Sequence, residues 1–179
     1  MIMKYSLIIF LMLAAVSGIA TAAGRDSRKA EQSDFSAEDA AVKKPVAIPE
    51  DVLAILRKDK AVLSTLEDQN LQPTKLPASW FSASAIHLST SARTDLVVVG
   101  EPPVSGGNTA MFWVFRATAD GHELVLTATA HDLRVRSRRS NGYQDIELVS
   151  MTAAQISSVL CRFDGSQYAQ FRSKSKPIR

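Results

Sequence analysis

The distribution of apolar positions along the chain changes character three times. Leu7 to Val16 is an unbroken apolar run, preceded by Lys4 and followed by Ala20-Thr21-Ala22. A basic start, a short greasy core and small residues at its end are the three parts of a cleavable secretory signal. Residues 1–22 are therefore expected to be removed, with cleavage before Ala23. The alternative, an uncleaved anchor, wants about 20 apolar residues to cross a bilayer, and Ser17-Gly18 dilutes the run before that length is reached. Residues 23–48 hold mixed charge and few large apolar groups. That composition predicts a flexible lead-in, because it buries too little to offset the entropy of ordering. A single domain is then expected over 49–171, with a basic tail over 172–179.

The domain opens with a helical pattern. Pro49 suits a first helical turn, and Glu50 and Asp51 face the positive end of the helix dipole. Val52, Leu53, Ile55 and Leu56 make one apolar stripe, and Val62, Leu63 and Leu66 make another after Asp59. This spacing predicts one bent helix over 50–67 or two short ones, ending before Asn70, with the stripe packed against a sheet.

From residue 84 the period shortens to that of strands. Asp95-Leu-Val-Val-Val99 is β-branched and short, and Asp120-Gly121, Asn141-Gly142 and Asp164-Gly165 stand where hairpin turns belong. Such pairs accept the positive φ of a two-residue turn. Two-residue loops would set Phe115 opposite Leu126, Trp113 opposite Ala128, and Cys161 opposite Tyr168. They would also set Arg138 opposite Asp145, Arg136 opposite Glu147, Val135 opposite Leu148 and Ser137 opposite Ile146. Met111, Trp113, Phe115, Leu124 and Leu126 then share a core face, with a more polar face behind them. The expected fold class is α+β, an N-terminal helical segment packed on a mostly antiparallel β-sheet. That sheet is a meander of hairpins with about six to eight strands.

Charge adds little to this picture. Removing a signal that holds Lys4 and no acid leaves twenty bases against eighteen acids, so nucleic-acid binding is not expected. The lone Cys161 allows no internal disulfide and reads as a buried thiol on an apolar strand face. His87, His122 and His131 show no metal-ligand spacing, and no Gly-x-Ser-x-Gly elbow marks a nucleophile. No cofactor or metal is expected, and a catalytic site would have to assemble in space, around His87 or His131.

Four arginines, Arg134, Arg136, Arg138 and Arg139, are the most concentrated charge. They are candidates for an anionic ligand, yet Asp145 and Glu147 sit where cross-strand pairing would neutralise two of them. Arg134 and Arg139 are left without an acid in that register. The tail Arg172–Arg179 reads as a solvated basic end that can touch an anionic surface. The Glu101–Asn108 loop precedes a strand rather than a helix, so it is no phosphate cradle, but long loops on a sheet often bind partners.

Residues 50–171 resemble a family of small uncharacterised exported bacterial proteins. The resemblance rests on Leu76-Pro-Ala-Ser-Trp80-Phe81, Asp95-Leu-Val-Val98 and Gly107-Asn108 leading into Phe112-Trp-Val-Phe115. Asn141-Gly-Tyr-Gln-Asp145-Ile146 and Arg162-Phe-Asp-Gly-Ser-Gln-Tyr168 complete it. The Asp-Leu-Val-Val piece is also similar to one segment of a VCBS/FG-GAP-like repeat, whose preceding loop can bind calcium. Here residues 87–94 hold no carboxylate before Asp95. The resemblance implies the fold and export, and no activity.

The reading is of a non-enzymatic periplasmic or secreted protein that binds a macromolecular partner, a protein or a component of the cell envelope. One version is an inhibitor or immunity protein. Arg134, Arg136, Arg138, Arg139, Glu101, Asn108 and Trp113 are the candidate contacts. The alternatives are an envelope hydrolase and an envelope-associated structural factor.

Overall fold

A computed structural model describes residues 31–38 and 41–178, so the expected signal over 1–22 lies outside the described residues. The elements run β1 (Asp34–Ser36), α1 (Glu50–Leu56), α2 (Lys60–Asp68), β2 (Phe81–Ile86), β3 (Asp95–Gly100), β4 (Ala110–Ala117) and β5 (His122–Ala130). They continue with β6 (Asp132–Ser140), β7 (Tyr143–Met151), β8 (Gln155–Phe163) and β9 (Tyr168–Pro177). All pairings are antiparallel, and they form two sheets, in the orders β2-β3-β4-β5 and β1-β6-β7-β8-β9. The fold is α+β, mainly a β meander.

The helical stretch resolves as two helices because Asp59 interrupts it. Its Oδ1 accepts from Ala61 N at 2.9 Å and Val62 N at 3.3 Å, capping α2. Val52, Leu56, Val62 and Leu66 are all buried, against Leu96, Val98, Trp113 and Phe115 of the four-stranded sheet. The opposite face of that sheet is buried too. Val97, Val99, Phe112, Val114 and Val125 pack against Leu133, Ile146, Cys161 and Phe163 of the five-stranded sheet. The chain thus makes three layers, and the polar rear face expected for β4 and β5 is a second core. The unbroken runs Leu96–Val99 and Phe112–Phe115 are the pattern of strands covered on both sides.

The three hairpins form, but all three registers differ from expectation. Only Asn141-Gly142 is a two-residue loop, with φ of 47° and 84° and Ser140 opposite Tyr143. At the first turn Ala117 pairs with His122 and Thr118 N donates to Gly121 O at 2.7 Å, so four residues lie in the loop. Phe115 therefore faces Leu124 and Trp113 faces Thr127, and an irregularity at Val114/Phe115 sends Leu126 into the inter-sheet core. At the third turn Asp164 Oδ1 accepts from Ser166 N at 2.8 Å and Gln167 N at 2.9 Å. That local turn widens the loop and puts Cys161 opposite Gln170 rather than Tyr168. Beyond the second turn a shift between Val135 and Arg139 sets Val135 opposite Ile146 and Arg134 opposite Glu147.

Both ends of the expected domain extend. Within the expected lead-in, β1 pairs with β6 and Phe35 is fully buried, while Val46 N donates to Ala83 O at 2.9 Å. One Phe in a polar segment is an anchor that average composition hides. The expected tail is strand as well: Arg172 to Pro177 belong to β9, paired along β8, and Ile178 N reaches Ala154 O at 2.9 Å.

A basic face as candidate binding site

The outer face of the five-stranded sheet divides into a neutralised half and a free half. On the β6 side, Arg134 Nη2 donates to Asp132 Oδ2 at 2.7 Å, and its Nε lies 3.7 Å from Asp34. Arg136 is paired with Glu147. Arg138 Nε lies 3.8 Å from Asp145 Oδ2, so the shifted register still lets both long side chains find the acids expected of them. Arg139 donates to the carbonyls of Leu88 at 2.6 Å and Gly142 at 3.3 Å, fastening the turn to the loop after β2. Arg134, expected without an acid, has two.

Asp145 is the pivot between the halves. Its side chain is 1% exposed; Oδ1 accepts from Ser140 Oγ at 2.6 Å, and Oδ2 lies 3.5 Å from Arg162 Nε. Neither that oxygen nor Arg162 Nε has a hydrogen-bond partner, so the attraction between them is the main compensation for burying both. The Arg162 guanidinium also lies 3.3 Å from the centroid of the Phe171 ring, a cation–π stack on the open side of the sheet.

On the β8–β9 side Arg162 alone among the described bases meets an acid, Asp145. Leu160 faces Arg172, Ser158 faces Lys174 and Ile156 faces Lys176, so these six share the outer face with Arg162. Phe171 is the extra residue where the β8–β9 register shifts, and it joins them through Arg162. Neither strand contains an Asp or Glu. Among the described residues Arg172, Lys174 and Lys176 make no ion pair. A shallow depression of about 110 Å³, lined by Arg136, Glu147, Ser158, Leu160, Arg172 and Lys174, joins the two halves. Reading the tail as solvated hides the bases and ring of β8 and β9 as a site. The alternation in Arg172-Ser-Lys-Ser-Lys176 is nonetheless a period-two strand signal.

The other candidates lie elsewhere. Trp113 is fully buried and its Nε1 donates to Asp59 Oδ2 at 3.0 Å, so it holds the helices and lies off the surface. Glu101 accepts from Ser82 Oγ at 2.7 Å. The Asn108 carbonyl accepts from His131 Nδ1 at 2.8 Å, and Met111 N donates to Ser105 Oγ at 2.8 Å. The loop is thereby fastened to the sheets around it. Glu101, Asn108 and Trp113 belong to the β3–β4 region, and the structure does not gather them with the β6 arginines.

His87 donates from backbone N (3.0 Å) and Nδ1 (2.5 Å) to Glu31, and His122 donates from backbone N (2.8 Å) and Nδ1 (2.9 Å) to Asp51. Among the described residues no hydroxyl or thiol is hydrogen-bonded to a histidine ring, and no metal-ligand cluster of three or more occurs. Burial pushes the Cys161 thiol up, away from a reactive thiolate. Both oxygens of Asp95 accept backbone N–H groups, from Leu88 at 2.9 Å and Ala117 at 2.8 Å. The Asp of the Asp-Leu-Val-Val segment therefore joins the ends of neighbouring strands.

A cavity of about 520 Å³ opens beside the β2 edge, with Glu31, Asp34, Lys43 and Lys44 among its walls. Its charges are mixed and Glu31 is already held by His87, so nothing there converges on one ligand. No protein-family model matches the chain, and no curated protein or solved structure matches it.

Proposed function

We propose that this is an exported, non-enzymatic protein, periplasmic or secreted, that binds an anionic macromolecular partner through the outer face of β8 and β9. The observation that carries this reading is the segregation of charge on one sheet. The arginines of β6 are spent on acids and carbonyls of the fold, whereas Arg172, Lys174 and Lys176 stand in a row and make no ion pair among the described residues. Long-range attraction from such a row raises the encounter rate with an anionic partner and weakens with salt. The clasped histidines and the buried thiol favour binding over catalysis.

The test uses residues 23–179 immobilised and exposed to whole cell-envelope extract. Retention of envelope material is expected at low ionic strength, and its loss in about 1 M salt, where the Debye length falls to ~3 Å. The combined variant Arg172→Gln, Lys174→Gln, Lys176→Gln is expected to retain nothing above background. Equal retention by the variant, or none by the wild type, overturns the reading.

A further inference from the structure

The geometry points to an anionic phospholipid bilayer as the occupant of this face, making the β8–β9 hairpin a peripheral membrane-contact edge. This inference rests on the binding reading above and names its partner.

Three observations carry it. First, the bases are interleaved with large apolar side chains that stay about half exposed. Phe171 is 49% exposed, Ile178 45% and Ile156 41%, three of the five large apolar residues left exposed among the described residues. Phe171 and Ile156 share the outer face with Arg162, Arg172, Lys174 and Lys176. A basic row that only prevents edge-to-edge strand pairing needs lysines at the edge and gains nothing from bare apolar groups among them. A bilayer interface uses both: phosphate for the cations and the acyl boundary for the ring and the isoleucines.

Second, the face is open. The depression among Arg136, Glu147, Ser158, Leu160, Arg172 and Lys174 has a volume of about 110 Å³. Pockets for small ligands run to roughly 300–1,000 Å³, so a free phosphorylated metabolite would find no enclosure there. At the hairpin's open end a depression of about 460 Å³ is of ligand size, but Lys176 is the one cation among its walls of Ile156, Pro177 and Ile178, which suits an apolar insertion better than a phosphorylated ligand.

Third, two of the three bases in the row are lysines, Lys174 and Lys176. Lysine is depleted from protein–protein interfaces, because its ammonium is costly to desolvate. On a membrane, lysine and arginine extend their charges to the headgroups while their stems lie along apolar surface.

The experiment is sedimentation of residues 23–179 with phosphatidylcholine vesicles, with and without about one-third phosphatidylglycerol, a content chosen to give a clearly negative surface. Binding to the anionic vesicles alone is expected, weakening as salt is raised. The triple glutamine variant should bind on the order of a hundredfold more weakly, the product of three surface bases. Phe171→Ser should bind about tenfold more weakly, from loss of one inserted ring. All these side chains are exposed, so the variants' circular dichroism and melting midpoints should match wild type. As a positional readout, the emission of the Phe171→Trp variant should shift to the blue on anionic vesicles, since Trp80 and Trp113 are already buried and contribute a constant background.

Equal binding to the two vesicle types, unchanged binding by the triple variant, or an emission of the Phe171→Trp variant that does not move overturns the inference. If vesicles are not bound while envelope retention persists and needs the three bases, the lipid assignment fails alone and an acidic envelope protein or polymer takes its place. If envelope retention fails too, the binding reading falls with it.

Discussion

Asp59 shows how much one side chain can organise. One carboxylate oxygen starts α2 by accepting two backbone N–H groups, and the other receives the indole N–H of Trp113. The cap fixes the corner between the helices, and the indole bond fixes that corner onto β4. Replacing Asp59 by Ala removes a cap, at about 1 kcal/mol, and leaves a buried donor unsatisfied, at about 1–3 kcal/mol. Urea denaturation is expected to show a loss of roughly 2–4 kcal/mol, and a change under about 0.5 kcal/mol, the usual scale of a surface substitution, would contradict the shared role. Asp95 works alike from a buried strand end. Burial pushes its carboxyl up, against the hydrogen bonds of Ala117 and Leu88, which favour the charged form. A buried aspartate with both oxygens on backbone is a strand tie, which is why its motif need imply no calcium.

Among the elements, the shortest strand has the largest leverage. β1 has three residues, yet it edges the five-stranded sheet and puts Phe35 wholly inside the inter-sheet core. Phe35→Ala is expected to destabilise by about 3–5 kcal/mol in chemical denaturation, a core value for a position that composition assigns to a linker. A change near zero would mean that the segment is a loose appendage. β9 is the opposite case. It is ten residues long, exposed along nearly its whole length, and held by its ladder to β8. Substitutions of its bases are therefore expected to leave the fold unchanged, so they test the proposed binding alone.

For the whole molecule, the N-terminal residues are tied to the sandwich through carboxylate–histidine contacts. Glu31 meets His87, Asp51 meets His122, and Glu38 lies 3.8 Å from His131 Nε2. For Asp51, desolvation pushes the carboxyl up, but the hydrogen bonds and charge of His122 outweigh it and hold the group below its ordinary 3.8. A depressed carboxyl contributes stability that is fully present above its unfolded value and is lost as pH falls through the folded one. The melting midpoint of the wild type is therefore expected to drop as pH is lowered below 3.8, and Asp51→Asn should flatten part of that drop. Identical pH profiles for the two proteins would show that the clasp is idle.

What local chemistry settles was legible in the chain. The helix stripes, the three glycine-bearing turns and the buried Cys161 each depend on residues a few positions apart, and each stands where the pattern puts it. The meander follows from those turns, because consecutive hairpins leave neighbouring strands little else to pair with. Tertiary structure alone decided the rest. Loop lengths at Gly121 and Gly165 hang on one or two hydrogen bonds, so a register counted from the glycine misses by a residue or two. Whether a sheet is covered on one face or both depends on which distant element arrives, here a second sheet behind β4 and β5. The basic face was hidden for the same reason. Arg136 and Lys174 lie far apart in the chain, and only the β6-β7-β8-β9 ladder sets them beside one depression, with the acids all at one side. Charge in a sequence is a sum, whereas charge on a surface is a difference between side chains already paired and those left over. That difference exists only once the strands have found their neighbours.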